Sequence, residues 1–502
     1  MKKNVVFLGL LMSIVCLLHA QTDIDALRYS LTNFQGTARN ISVGNTMSSV
    51  GADISNVHTN PAGLAKYSAT EISVTPGVSF YKSNSEFLNN KISQNKIKFQ
   101  LGSAGIVFGK RSADEENKKK WSKPTFAINI SRLANYNEKY FMSGYNADNS
   151  ILNAYWEKLN DRSVITDSIA AVTQYPFDAS LAFALGLITI DTLGNTYTAT
   201  NNGNMTQSIQ INRTGGMDEA AIGIASEYKD KLMLGLSLGI PFVSYSENMI
   251  LTEKDDSNYA GHLTSFSVEN RLKTTGTGFN LKAGVIYSPI SNLKIAFSVQ
   301  TPGLIFMKDR FYSHMEADYD SLSVILTADS PDGEFKYRYR QPWKMGLGVS
   351  YVHKYGFVAT EYELTDVSNS KFNFKSSTAA DIAYENFVNS NIKNKYGLTH
   401  TLKVGTEFKI QKFRIRAGFQ YRSTPFDKAA QPTAFKTYAL TYSGGLGYRG
   451  NHFFVDATFV QTQTKEMYIP YTIDSSFWLS SAPEAKLSIS KPAVFVTLGY
   501  KF

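Results

Sequence analysis

Seven histidines and one cysteine bound the catalytic and metal chemistry open to this 502-residue chain. Beyond His19, the histidines are His58, His262, His314, His353, His400 and His452. No two stand at the spacing of a metal pair, and none is coupled in the sequence to a Ser and an Asp or Asn. The expectation is therefore no enzyme, no catalytic residue, no metal site and no cofactor. A lipase or protease reading has no nucleophile and base to rest on. A haem ligand needs a His or Tyr in an apolar site. His58 is the candidate to test, against a plain polar role for the same side chain. Thr275-Gly276-Thr277-Gly278 lacks the strand-to-helix context of a phosphate loop and is a strand feature.

The remaining chemistry is ionic. In 412–422, Phe413, Ile415, Ala417, Phe419 and Tyr421 alternate with Lys412, Arg414, Arg416, Gln420 and Arg422. In 401–410, Leu402, Val404, Phe408 and Ile410 oppose Lys403, Glu407 and Lys409, and in 357–364 Val358, Tyr362 and Leu364 oppose Glu361 and Glu363. Period-two alternation gives strands with one apolar and one charged face. Lys403, Arg414 and Arg416 thus share a polar side. Two readings stay open: they bind the carboxylate of a ligand, or they pair with Glu361, Glu363 and Glu407.

Fourteen strand-like segments carry this pattern: 68–80, 97–109, 123–133, 217–229, 231–250, 263–288, 291–301, 335–353, 356–367, 398–410, 412–423, 437–449, 451–466 and 488–502. Short turns at 229–230, 289–291, 354–355, 411 and 449–451 join several of them. Long polar connections at 111–122, 302–334, 368–397, 424–436 and 467–487 lie between. Short turns at one end and long loops at the other are the asymmetry of a membrane barrel, and an even strand count returns both termini to one side. Within 145–190, the spacing in 150–159 and 165–172 predicts short amphipathic helices, followed by an apolar stretch at 179–190. Such helices either shape a ligand entrance or cover the mouth.

Residues 1–20 have the design of a signal peptide: Lys2 and Lys3, an apolar run at 5–18, and Leu18-His19-Ala20 before the cut. Cys16, flanked by Val15 and Leu17, makes a poor lipidation site, so the mature chain has no cysteine for disulfides or thiolate ligands. No later apolar run is long enough for a spanning helix; 232–243 is interrupted by Gly235, Ser237, Gly239 and Pro241. Aromatic residues make up 13% of the chain, with 29 Tyr and 32 Phe, dispersed rather than clustered. The fold expected is all-β: a transmembrane antiparallel barrel of about fourteen strands over 67–502. Charged groups facing lipid at mid-bilayer would cost roughly 2–4 kcal/mol each, so they face inward. The absence of a repeat near 40–50 residues argues against a propeller. The formal charge is +9, or two less without Lys2 and Lys3. With no basic run of five and no RNA-binding aromatic signature, nucleic acid is not an expected partner. The excess suits anionic lipopolysaccharide or an anionic substrate, or is plain surface charge. Lys118-Lys119-Lys120 follows Asp114, Glu115 and Glu116 and is a solvated loop.

Residues 21–66 have no strand pattern. Small residues dominate, Pro61 removes a donor and bars Asn60 from helix, and Gly63 permits a tight turn. Such a segment packs into a narrow bore. The run Gly51-Ala52-Asp53-Ile54-Ser55, then Asn60-Pro61-Ala62-Gly63-Leu64, resembles the N-terminal hatch of the FadL/TodX outer-membrane transporters of hydrophobic compounds. The stretch 276–289 with 293–297, Val404-Gly405-Thr406-Glu407 with 416–425, and Gly445-Leu446-Gly447-Tyr448-Arg449 with Val455-Asp456 resemble later hairpins of that family in order. The terminal strand ends on Phe502, as barrel-closing strands do.

The resemblance implies a barrel plugged by residues 21–66, with Asn60, Pro61, Ala62 and Gly63 in the plug rather than on the ligand. It implies passive transport of long-chain fatty acids or similar hydrophobic molecules. Cargo enters from an extracellular apolar groove, occupies a lumen site and leaves past the hatch or through the wall. It implies residence in the outer membrane, contact with its lipid and lipopolysaccharide, a monomer, and no cofactor. The family's carboxylate-binding positions are not transferable to particular residues here. Long loops at 145–215, 302–334 and 368–397 depart from the typical member. Two competing functions carry over: a PorV-like accessory barrel that binds protein cargo of a secretion system, and haem uptake.

Overall fold

A computed structural model describes residues 21–109, 121–160, 174–190, 196–201, 203–255, 263–320, 325–430, 437–474 and 481–502. The leader expected at 1–20, the Lys118–Lys120 tract, the helix expected at 165–172 and His262 lie outside them.

Alternation decides the architecture. Along 232–242, Leu234, Leu236, Leu238 and Phe242 are exposed while Met233, Gly235, Ser237 and Gly239 are buried. Strands with one apolar outer face have no partner for that face except lipid, and they leave no edge only by closing on themselves. Fourteen strands do so: β1 Glu71–Phe87, β2 Asn90–Phe108, β3 Thr125–Asn135, β4 Met205–Tyr228, β5 Leu232–Asp255, β6 Leu263–Ile290, β7 Leu293–Gln300, β8 Lys344–His353, β9 Gly356–Asp366, β10 Leu398–Ile410, β11 Phe413–Arg422, β12 Ala439–Arg449, β13 Phe453–Tyr468 and β14 Ala485–Lys501. Each pairs antiparallel with its neighbours. β14 returns to β1 in the register Glu71↔Lys501 and Ile72↔Tyr500. Beyond it, the Phe502 amide donates to the Thr70 carbonyl (3.0 Å), and the Phe502 ring packs on Tyr500 at 4.9 Å. The last residue therefore seals the ring.

Lys229 and Asp230 both have positive φ, the geometry that a two-residue hairpin requires. Leu88 and Asn89 do the same at the opposite end, where long loops were expected. β1 and β2 simply run on through the polar stretch 81–96. β4, β5 and β6 likewise have 24, 24 and 28 residues, where roughly 9–11 suffice to cross a bilayer. The wall therefore rises far above the membrane.

Several expected loops are ordered. Much of 302–334 is strand: Leu304–Tyr319 continues the ladder of β6, and Gly333–Arg340 pairs back onto it. Above the bilayer this hairpin keeps Ile305, Met307, Tyr337 and Tyr339 buried inside while its outer face turns polar from Lys308 on, so its sequence lacks the apolar-out pattern although its backbone is paired. The single segment expected at 335–353 is two strands, interrupted at Gln341-Pro342-Trp343, where Pro342 offers no donor to a ladder. The connection 368–397 contains a 17-residue helix, Ala379–Lys395. In the 145–190 region, helices Ile151–Asn160 and Ala179–Ala184 pack with the tips of β4–β6 into an apolar cap.

Residues 22–66 coil through the bore as α1 Asp23–Ser30, α2 Ala38–Ser42, α3 Met47–Val50 and two 3₁₀ turns, Ile54–Val57 and Pro61–Lys66. Thr37, Asp53 and Asn60 cap successive turns through their side-chain oxygens. Their contacts reach round the ring. The Ala38 amide donates to Thr497 on β14 (2.7 Å), Lys294 on β7 donates to the Val50 carbonyl (2.7 Å), and Ser237 on β5 donates to the Val57 carbonyl (2.7 Å). Phe495, on the inner face of β14, is covered by Ala38 and Ile41 of α2.

Candidate functional site

The Asn60-Pro61 motif is seated by the wall. Gly235 and Gly284 are a cross-strand pair on β5 and β6. A Cβ on Gly284 would stand 1.8 Å from Asn60 Oδ1, and one on Gly235 would stand 2.3 Å from the Ala62 nitrogen. The pair leaves a bare patch of backbone against which the motif lies. Asn60 accepts from the Ala62 amide (3.2 Å), and Gly63 accepts from the Ala52 amide (3.0 Å). Ala62 is buried among Met233, Ile286 and Ala296. A second glycine pair, Gly405 and Gly418, faces Val43 and Gly44 in the same manner.

His58 is buried above this motif. Its Nδ1 lies 2.8 Å from Glu219 and its Nε2 lies 2.8 Å from Asn129. Glu219 also accepts from Lys282 (2.6 Å) and Asn280 (2.7 Å). The constellation ties the N-terminal segment to β3, β4 and β6 and leaves neither ring nitrogen open to iron.

The three basic residues singled out in the sequence are placed as follows. Lys403 donates to Glu361 (2.9 Å) and Glu363 (2.8 Å). Arg416, fully buried, donates to Glu407 (2.6 Å) and Asp456 (2.7 Å). Arg414 lies at the short-turn end and donates to the Gln411 and Phe413 carbonyls. The first two are charge-balanced within the wall, and the three do not converge.

A different pair does converge. Residues 31–35 cross the bore as extended chain, held by Asn33 and Gln35 amides on the Leu133 and Arg132 carbonyls. They separate a cavity of about 110 Å³ against β7–β11 from one of about 250 Å³ on the β1 and β14 side. Lys344 on β8 donates to Thr32 Oγ1 (2.8 Å) and Arg422 on β11 donates to the Thr32 carbonyl (3.2 Å). Both line the smaller cavity. Neither forms an ion pair among the described residues. A lysine has three donors and an arginine five, so most of theirs remain for a ligand anion. Arg422 was legible as inward-facing from its alternation. Lys344 was not, because it follows the break at Pro342. The convergence of the two on Thr32 belongs to the tertiary fold.

At the extracellular end, Tyr155, Phe177, Phe311, Tyr312, Phe387 and Tyr471 line a groove of about 900 Å³ between the cap and the helix Ala379–Lys395. Its floor includes Glu247, which accepts from Arg213 (2.5 Å) and Tyr245 (2.6 Å). Arg213 and Tyr245 line the larger bore cavity, so this ion pair and hydrogen bond stand in the wall between the groove and the bore.

A closed fourteen-stranded ring with an apolar outer belt, a charged bore and an N-terminal segment lodged within it defines an outer-membrane β-barrel. The family model described as BamG matches residues 123–454. The chain belongs to the BamG family. Its fold is also that of the FadL/TodX barrels. A Pseudomonas aeruginosa FadL homologue superposes with a TM-score of 0.53 at 11% identity, covering 94% of this chain and 99% of the other. The toluene transporter TodX of P. putida gives 0.53 at 13% identity, with 94% and 99% covered. No curated protein matches the sequence.

Proposed function

We propose that the protein carries amphipathic molecules with an anionic head, long-chain fatty acids among them, passively across the outer membrane. It acts as a monomer and is gated by residues 21–66. The observation that carries this reading is the presence in one barrel of an aromatic extracellular groove and of a lumen cavity holding two cations that lack ion-pair partners among the described residues, Lys344 and Arg422. An apolar tail gains from the groove, and a carboxylate gains charge-assisted hydrogen bonds in the bore. The toluene transporter of like fold supports an apolar class of cargo. For exit, an apolar concavity of about 760 Å³ on the outer wall lies over β1 and β14 at Ile72–Val74 and Leu498–Tyr500. This spot favours a sideways path over displacement of the plug.

The test is binding of a fluorescent fatty acid to the detergent-solubilised protein. A charge-assisted bond contributes roughly 1.5–3 kcal/mol, so Lys344→Met or Arg422→Met should weaken binding about 10- to 100-fold. Equal binding by the variants would remove the site, and no binding by the unaltered protein would overturn the reading. One observation favours the accessory-barrel alternative: Ile382 and Phe387 are exposed on the extracellular helix. A stoichiometric protein partner together with an empty bore would be the sign of that role.

A further inference from the structure

Above the apolar belt, the outer side of one sector of the wall turns abruptly basic. On Leu304–Tyr319, Ile305, Met307 and Asp309 are buried while Phe306, Lys308 and Arg310 point outward. The register places Phe242, Thr277, Phe306 and Arg338 in one cross-strand row, extended by Asn373. Two residues higher, the row is Ser244, Thr275, Lys308 and Lys336. Phe242 and Phe306 are 45% and 44% exposed, as lipid-facing residues are. The step from aromatic to cationic surface is therefore two residues, roughly 7 Å along a strand.

The cations greatly outnumber their partners. Glu334 alone serves Lys308 (2.7 Å), Arg310 (3.3 Å) and Lys336 (3.5 Å). Arg338 and Lys375 have no carboxylate partner among the described residues. The Arg338 guanidinium lies 5.2 Å from the centre of the Phe306 ring, and its buried Nε has no hydrogen-bond acceptor. These groups surround a groove of about 600 Å³ that runs down to Phe242 and Phe306.

We propose that this groove is a binding site for an anionic, phosphate-bearing lipid of the outer leaflet. Lys308, Lys336, Arg338 and Lys375 hold the phosphate, and an acyl chain lies on Phe242 and Phe306. A soluble anion would gain nothing from the aromatic floor. A protein partner would have to meet the acyl belt itself. A lipid matches both halves, since its charge and its hydrocarbon are joined at the height where the wall changes character. The inference rests on outer-membrane residence and is independent of what the bore carries.

The experiment is native mass spectrometry of the full barrel in mild detergent, titrated with a bisphosphorylated glycolipid or with a zwitterionic phospholipid. The unaltered protein should retain the phosphorylated lipid at near one per barrel, at least tenfold above the zwitterionic one. Lys336→Gln/Arg338→Gln/Lys375→Gln should lose that preference, while Lys98→Gln, on another sector, should keep it. Millimolar inorganic phosphate should not displace the lipid. Lys336 and Lys375 are exposed and Arg338 is half-buried, and heat-modifiable gel migration verifies that the barrel forms. If the triple variant does not form, Arg338→Gln alone should lower retention severalfold. Equal retention by a folded variant, no preference in the unaltered protein, or displacement by free phosphate would each overturn the proposal.

Discussion

Single side chains matter here mostly where they are missing. Gly284 and Gly235 are absent side chains that let Asn60 and Pro61 touch the wall backbone. Adding a methyl group at 284 puts a carbon within bonding distance of Asn60 Oδ1, so the motif must shift. Gly284→Ala should raise the resting ionic conductance of the protein in planar bilayers severalfold, because the segment no longer seats. Gly444 is the control, since a Cβ there meets nothing closer than 3.7 Å. Equal conductance in the two variants would show that the seat is unimportant. Charge follows the same logic. Lys403 and Arg416 each have two carboxylates, whereas Lys344 and Arg422 have a threonine between them.

At the scale of elements, the extracellular cap is fastened by a buried carboxyl well above the membrane. Glu253, eleven residues past Phe242 on β5, accepts from the Ile151 amide at the start of the cap helix (2.9 Å) and from Gln207 (2.9 Å). Burial pushes this carboxyl up to about 7, outweighing the hydrogen bonds from Ser150, Ile151 and Gln207. With the cap open, the group returns towards its ordinary value of 4.5. The closed form then binds the extra proton between those values, so closure weakens as pH rises from about 4.5 through about 7. Hydrogen exchange of the amides of Ile151–Asn160, corrected for intrinsic rate, should quicken over this window. Glu253→Gln should flatten the dependence. An unchanged slope in the variant would assign the fastening elsewhere.

For the molecule as a whole, the ring and its contents are separable. Every barrel strand pairs with two others, and β14 closes on β1 without help from residues 21–66. The segment instead contributes contacts to the inner wall, including His58 on Glu219. A protein lacking residues 21–66 should still fold and show heat-modifiable migration. It should also conduct ions as a wide pore, where the intact protein is nearly closed. A deletion variant that folds but conducts no better would show that the bore is blocked by something other than this segment.

Much of this protein was legible in its sequence, because the bilayer is a strict reader of local pattern. Lipid tolerates only closed strands with apolar outer faces, so alternation in 412–422 and the terminal strand to Phe502 fixed the class and the approximate strand count before any contact was known. The pattern failed where lipid no longer imposes it. The tall hairpin from Leu304 and the extensions of β1, β2 and β4 turn their polar residues outward and bury residues such as Phe87, Ile209, Ile211 and Met307, the reverse of the lipid-facing pattern, and cross-strand pairing shows that they are strands. The site was legible by face but not by partner. Alternation placed Lys403, Arg416 and Arg422 inside, yet it does not specify which wall residue meets which across the bore. That depends on how fourteen strands stagger as they close and on where the coiled N-terminal chain crosses between them. Tertiary structure alone therefore decided that Lys403 and Arg416 are balanced, and that Lys344 and Arg422 converge on Thr32.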